Sequence, residues 1–255
     1  MSKPRVSIIT AVFNGEEFLE DTIQSILCQD YPDFEYIVID GGSKDKTLEI
    51  IKKYENQITY WVSESDKGIS DAFNKGIRLA TGSYINFQGD GDRLFDQTTL
   101  KNIFQNVDER EDDLVSCLIE RVDLKGEHKF ISTDHSPITR EQLLYRLTVP
   151  HQGLFTHRRF FEKYGLFDIS NVFCMDYEIL LRAYHNFPKI KSLPLIASKW
   201  RDDGIGNQRE LEIFEEYHRI KVENNISNRL HLELINKWTF AKYYVKRILG
   251  IYRKY

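Results

Sequence analysis

The chain has 255 residues, 41% of them hydrophobic, which is enough apolar material for one large domain or two small ones without disulfide staples. A net charge of -4 argues against a protein that tracks nucleic-acid phosphates. No apolar run approaches the roughly 20 residues that span a bilayer, and Met1-Ser2-Lys3-Pro4 runs straight into a strand pattern rather than a signal peptide. Cys28, Cys117 and Cys174 are odd in number, far apart and without metal-ligand spacing, so buried thiols in a reducing, cytoplasmic setting are expected.

In chain order, the first hundred residues alternate short apolar runs with helical periodicity: Val6 to Phe13, Glu16 to Leu27, Phe34 to Ile39, Lys46 to Tyr54, Ile58 to Val62, Ile69 to Leu79 and Tyr84 to Phe87. That rhythm predicts βαβ units and a mainly parallel sheet. In the first helix Phe18, Ile23, Ile26 and Leu27 fall near one face, while Glu16, Glu17, Glu20 and Asp21 suit the positive end of the macrodipole.

Beyond Asp96 the beat is less regular. A helix near Thr98 to Asn106, a strand at Leu114 to Ile119 and a hairpin turning at Lys125-Gly126 are predicted, with helices again at Arg140 to Leu147, Arg158 to Tyr164 and Asp176 to His185. No linker or repeat interrupts this stretch, so it reads as a second lobe laid against the sheet.

The chemistry-bearing segments are Asp40-Gly41-Gly42-Ser43-Lys44-Asp45 and Gln88-Gly89-Asp90-Gly91-Asp92, each directly after a predicted strand. Both acidic clusters should emerge at the carboxyl edge of one sheet, where open α/β folds bind ligands. Asp45 is the better cap for the helix that follows, which leaves Asp40 freer for a ligand. Asp71, Asn74 and Lys75 lie three and four apart, on adjacent positions of one helical face; pocket lining and a surface Asp71–Lys75 pair are both open readings.

Val6 to Asn14, Ile39 to Thr47, Ser63 to Ile77, Ala80-Thr81-Gly82, Pro150-His151-Gln152-Gly153, Gly165-Leu166-Phe167-Asp168 and Asp176-Tyr177-Glu178 together resemble the family 2 glycosyltransferases, in a branch associated with bacterial surface polysaccharides. The resemblance runs in motif order over residues 4 to 200. It implies the GT-A fold, an α/β architecture with a Rossmann-like, mainly parallel central sheet flanked by helices, a mixed acceptor-side lobe and C-terminal helices. Residues 1–205 would be the glycosyltransferase domain, with 1–95 as the nucleotide-sugar-binding half and 96–205 as the acceptor-side half; 206–255 would be a helical extension.

The implied reaction is inverting transfer of a sugar from a nucleoside diphosphate, expected to be uridine-based, to a hydroxyl of a glycan or lipid-linked glycan. Its departing diphosphate calls for a hard divalent cation, Mg²⁺ or Mn²⁺, and oxygen ligands. Asp92, with Asp90, is the expected metal position, although Gly89-Asp90-Gly91-Asp92 departs from the usual run of adjacent carboxylates. Its bland alternative is a turn whose aspartates cap backbone amides. The acceptor proton calls for one accessible carboxylate, and Asp176 is the candidate base.

By resemblance, Thr10, Phe13, Asn14, Asp40 and Gly41 belong to the nucleotide segment, Asp40 accepting from a uracil imide. Asp71, Asn74, Lys75 and Asp90 would serve the diphosphate and sugar, and His151 and Gln152 the acceptor side. Glu178 and Arg182 read as a structural i,i+4 pair, and the other histidines lack zinc spacing. The Gly89-to-Asp92 departure also leaves open a nucleotide-sugar-binding scaffold of weak activity. A nucleotidyltransferase is disfavoured because the loop after the first strand, Phe13-Asn14-Gly15-Glu16-Glu17, is acidic.

From Lys237 to Tyr255 the chain carries six Lys and Arg residues without an acid, interleaved with aromatic and aliphatic residues. That pattern fits a helix on an anionic membrane face, or equally one docked on its own domain or a second subunit, so peripheral membrane contact and a homo-oligomer both stay open.

Overall fold

A computed structural model describes residues 5–201 and 209–250. The first half comprises β1 (Val6–Val12), α1 (Leu19–Leu27), β2 (Phe34–Asp40), α2 (Thr47–Lys53), β3 (Tyr60–Ser63), α3 (Ile69–Leu79) and β4 (Tyr84–Gly89). There follow β5 (Arg93–Leu94), α4 (Thr99–Phe104), β6 (Leu114–Val122), β7 (His128–Ile131), α5 (Arg140–Leu143), a 3₁₀ turn (His151–Gly153), β8 (Leu154–His157), α6 (Arg158–Tyr164) and α7 (Met175–Arg182). A second 3₁₀ turn (Tyr184–Asn186) and β9 (Ile190–Arg201) lead to α8 (Glu210–Glu223) and α9 (Arg229–Ile248).

One sheet carries the molecule, in the order β3-β2-β1-β4-β8-β6-β9-β5, with β7 paired to β6. The expected parallel half is β3, β2, β1 and β4. β8 then runs antiparallel to both β4 and β6, and β9 runs parallel to β6, so the mixed lobe continues the same sheet. The predicted hairpin at Lys125-Gly126 joins β6 to β7, with Gly126 at φ +81, where a residue without Cβ avoids strain.

β1 is buried along its whole length because both of its faces are covered. Period-2 alternation sends Ile9 and Ala11, with Ile37, Ile39, Ile85 and Phe87, into one core, against Ala72, Phe73 and Ile77 of α3. Val6 and Ile8 turn to the other face with Tyr36, Val38 and Tyr84, against Leu19, Ile23 and Ile26 of α1. Gly76 is what lets α3 seat on β1, since a Cβ there would collide with Ile9. Ile220, Leu232 and Ile235 bring α8 and α9 into the α3 layer, so the C-terminal helices share the core of the sheet domain.

Three local expectations change. α1 starts at Leu19 rather than Glu16, because the amides of Asn14, Gly15 and Glu16 are spent on Ser43, Thr47 and Asp45 in the loop after β2. Phe18 leaves the predicted apolar face and lies under the Arg201 guanidinium, 3.4 Å from its ring centroid. Cys28 is exposed at the end of α1, whereas Cys117 and Cys174 are buried as expected.

Candidate active site

Asp40 pairs with Val12 in the β1–β2 register, and Gly89 pairs with Ala11 on the other side of β1. Strands about 4.8 Å apart therefore deliver three loops to one rim, roughly 10 Å across. Hydrogen bonds lace the first two loops: the Asn14 amide donates to Ser43 Oγ at 2.7 Å, Gly15 to Thr47 Oγ1 at 2.8 Å, and Lys44 returns its amide to Asn14 Oδ1 at 2.9 Å. Asn14 takes φ +54 to make these contacts, a conformation Asn tolerates better than most side chains. Asp45 caps the following turn through the amide and hydroxyl of Thr47, as its position predicts.

On this platform Phe13 is 62% exposed, its ring beside Gly41, where a Cβ would lie 3.4 Å from Phe13 Cδ2 and 2.6 Å from Asp66 Oδ2. Phe13, Gly41 and Asp66 thus form an open apolar-and-acidic notch. Asp40 is not free: it is fully buried beneath the notch, and its carboxylate accepts from the Gly42 and Ser43 amides and from the Ser43 and Ser63 hydroxyls. Thr10 is also inward, its Oγ1 accepting from Tyr36 Oη at 3.1 Å.

α3 divides the next group. Asn74 turns into the core, where its amide exchanges two hydrogen bonds with the Phe167 backbone at 2.8 and 2.9 Å. Lys75 pairs with Glu64 at 2.8 Å rather than with Asp71, and Asp71 accepts from the Lys67 amide at 3.1 Å. Asp71 and Lys75 hold the 64–68 loop that carries Asp66; Asn74 does not join them.

After β4 the chain turns sharply, with the Asp92 amide returning to the Gly89 carbonyl at 3.1 Å and Gly91 at φ +85. Asp90 lies over the β1 loop, 2.8 Å from where a Cβ on Gly15 would be. Asp92 is buried and accepts from the Gly89 amide and Gln152 Nε2, each at 3.0 Å, and from the Arg201 amide at 3.3 Å. Burial pushes its pKa up to about 7 against those hydrogen bonds, and the Asp90 charge adds to the rise. Arg201 closes this corner, its guanidinium filling the space a Gly91 side chain would need.

Gln152 is tied twice, because its carbonyl accepts from Asn86 Nδ2 at 3.0 Å and Gln88 Nε2 at 3.1 Å on β4. Its neighbour His151 stacks on Phe87, with centroids 5.2 Å apart and planes 9° from parallel. His151 Nε2 is buried with no hydrogen-bond partner among the described residues. Burial lowers the His151 pKa, and the nearby Asp176 charge opposes that. Burial likewise raises Asp176, with the His151 charge in opposition. One 3₁₀ turn therefore carries a hydrogen bond to Asp92 and an imidazole beside Asp176.

Asp176 stands in the first turn of α7, which Glu178 and Arg182 brace: Arg182 Nε donates to Glu178 Oε1 at 2.7 Å and Nη1 to the Tyr164 carbonyl at 2.8 Å. The 172–174 approach to that helix is gripped from α8, where Glu216 accepts the amides of Val172, Phe173 and Cys174 at 3.1, 3.0 and 2.8 Å. Three residues of this site lie outside the sequence-derived set. Asp66 stood within the quoted motif, Arg201 ends a strand too irregular to predict, and Glu216 carries no local signal at all.

No group of three or more His, Cys, Asp or Glu side chains among the described residues forms a metal cluster. Asp90 and Asp92 are close enough to interact electrostatically, and two carboxylates completed by phosphate oxygens and water are a usual provision for Mg²⁺. The residues present fit that mode of binding.

A parallel half with loops gathered at its carboxyl edge, joined to a mixed half bearing a half-buried carboxylate, is the plan of the GT-A glycosyltransferases. The model of the family described as Glycosyl transferase family 2 matches residues 7–180, and the chain belongs to that family. A relative named PGL/p-HBAD biosynthesis glycosyltransferase from Mycobacterium bovis (strain BCG / Pasteur 1173P2) is 26% identical over 93% of this chain and 92% of its own. An uncharacterized glycosyltransferase of Rickettsia typhi is 30% identical over 85% of this chain and 70% of its own length.

Among solved structures, S. aureus TarS 1-349 in complex with UDP superposes with a TM-score of 0.69 at 21% identity, covering 91% of this chain and 69% of that one. The mannosyltransferase PcManGT from Pyrobaculum calidifontis, in complex with GDP-Man and Mn²⁺, superposes with a TM-score of 0.67 at 18% identity, covering 93% and 72%. These likenesses establish the fold.

Proposed function

We propose that this protein is an inverting glycosyltransferase that moves a sugar from a nucleoside diphosphate, favouring UDP, to a hydroxyl of a glycan or lipid-linked glycan in surface polysaccharide synthesis. The observation that carries the reading is the 151–152 turn, whose Gln152 hydrogen-bonds the diphosphate-side carboxylate Asp92 and whose His151 imidazole lies close enough to feel the charge of the half-buried acceptor-side carboxylate Asp176. Residues 1–95 bind donor and 96–205 form the acceptor side, which α8 and α9 of the 206–255 extension support through Glu216 and the shared core.

In this reading Phe13 stacks on the base in the notch with Asn14, Gly41 and Asp66. Asp40 and Thr10 shape its floor, and Asp71 and Lys75 set the loop flanking the sugar. A divalent cation, Mg²⁺ or Mn²⁺, held by Asp92 and Asp90 would neutralise charge on the diphosphate. Asp176 takes the proton of the attacking hydroxyl, its burial raising its basicity, while His151 holds its position on Phe87 and steadies the charge. The nucleophile attacks the anomeric carbon opposite the departing diphosphate, so one displacement inverts the centre. A lipid-linked acceptor would be met at the inner face of the cytoplasmic membrane.

Calorimetric titration with UDP and GDP, each with and without Mn²⁺, tests the donor assignment. Metal-dependent binding of UDP in preference to GDP is expected; binding of neither nucleotide would move the assignment to a scaffold without a donor site.

A further inference from the structure

α9 is apolar on two opposite sides. One side faces its own domain: Leu232, Ile235 and Tyr243 are buried, and the Tyr243 ring lies 5.7 Å from Phe214 of α8. The other faces solvent, where Leu230 (72%), Leu234 (57%), Trp238 (66%), Val245 (54%), Ile248 (83%) and Leu249 (62%) are exposed. The first five, spaced four, four, seven and three apart, fall into one stripe along a helix roughly 30 Å long, and Leu249 follows at its C-cap. Single exposed apolar side chains are ordinary, but a stripe of this length on a charged protein is a contact surface.

The charges beside the stripe identify the partner. The exposed Lys237 and Lys242 flank it, while Arg247 turns back to donate to Tyr243 Oη at 2.9 Å, and no acidic residue occurs between Ile235 and Gly250. The last acid of the helix, Glu233, is engaged with His218 of α8 at 3.3 Å. Two copies of α9 laid face to face would bring Lys237 and Lys242 of each together, with no acid between Ile235 and Gly250 to offset them. Anionic headgroups complement them, and the stripe supplies the apolar depth for an interfacial helix. No helix among the described residues is long and apolar enough to cross a membrane, so the helix would lie on the surface.

We propose that the outward face of α9 is the surface by which the protein docks on an anionic lipid bilayer. This deepens the acceptor reading, since only its biological use rests on a lipid-linked acceptor; lipid binding itself needs neither donor nor transfer. The sequence alone pointed to residues 237–255 as a whole, whereas the fold spends Tyr243 on the domain and extends the stripe back to Leu230.

The test is co-sedimentation of the full chain with vesicles of phosphatidylcholine alone and with 30% phosphatidylglycerol. Binding at least tenfold stronger to the anionic vesicles, and loss of most of it in 0.5 M NaCl, are expected. Leu234→Glu/Trp238→Glu should abolish binding with thermal stability and UDP titration unchanged, and Lys237→Glu/Lys242→Glu should remove the preference for anionic lipid. No anionic-lipid binding, or binding indifferent to Leu234→Glu/Trp238→Glu, overturns the proposal. So does a concentration-dependent dimer in sedimentation velocity that this same variant dissolves while the wild type ignores vesicles. None of these outcomes alters the donor titration, so this proposal and the transferase reading fail separately.

Discussion

Glu216 on α8 accepts the amide of Cys174 at 2.8 Å, and Cys174 opens the helix that carries Asp176. With the Val172 and Phe173 amides on the same carboxylate, a side chain 42 to 44 positions away in sequence fixes where α7 begins. Glu216 also helps to raise the Asp176 pKa through like charge. Glu216→Gln should lower kcat for UDP release from a turned-over UDP-sugar about tenfold and leave donor KM unchanged. The acid limb of its pH profile should move to lower pH, since removing a neighbouring anion eases ionisation of Asp176. Asp176→Asn is the companion: if it retains activity, the base assignment fails, and if only Glu216→Gln is normal, the positioning role fails. Glu216→Ala should cost about 3 kcal/mol, because three amides lose a charged acceptor.

Asp92 is held by three donors and reaches the rim through its contact with Gln152. Asp92→Asn keeps the shape and removes the charge. Mn²⁺-dependent UDP affinity should drop at least tenfold while metal-free thermal stability is retained, since a buried carboxylate is replaced by a neutral isostere. Equal Mn²⁺-dependent affinity for the variant in calorimetry would remove Asp92 from the metal site.

Phe13 is the exposed aromatic ring of the donor notch. Base–aromatic stacking is worth about 1–3 kcal/mol per base, so Phe13→Ala should weaken UDP binding about tenfold. Because the ring is 62% exposed, its melting temperature should hardly change. A loss of stability with nucleotide affinity intact would instead make Phe13 a packing residue.

The parallel half was legible because its signals are local. β1, β2 and β4 are short, mostly apolar runs rich in β-branched and aromatic residues, and the two acidic segments follow directly on the ends of β2 and β4, so topology brings Asp40 and Asp90 to one edge without knowledge of any tertiary contact. What sequence could not show is how each carboxylate is spent. Asp40 looked free because Asp45 caps α2, yet Ser63 arrives from β3 to complete its shell, a contact fixed by strand pairing. Asn74 and Lys75 are neighbours on α3, and a step of one residue turns one into the core and leaves the other on the surface. Glu216 and Arg201 reach the site from the C-terminal third, where no spacing rule links them to Asp176 or Asp92.

Lys221 offers a measure of what α8 gives up to keep its position. Its side chain is 96% removed from solvent, by an exposure of 4%, and its ammonium donates to the Leu144 carbonyl at 3.3 Å. Burial pulls its pKa down to about 8 from 10.5. Between those values the unfolded chain holds the proton and the folded protein releases it, so stability rises with pH across that window and levels off below 8, where both states are protonated. The full difference is about 3 kcal/mol, at 1.36 kcal/mol per pK unit. Lys221→Met keeps an unbranched apolar stem, removes the buried charge and leaves one carbonyl without this donor. It should be about 2 kcal/mol more stable at pH 7, and its denaturation midpoint in urea should lose the rise between pH 8 and 10 that the wild type shows. A wild-type midpoint flat across that range would mean that Lys221 folds with its charge fully compensated.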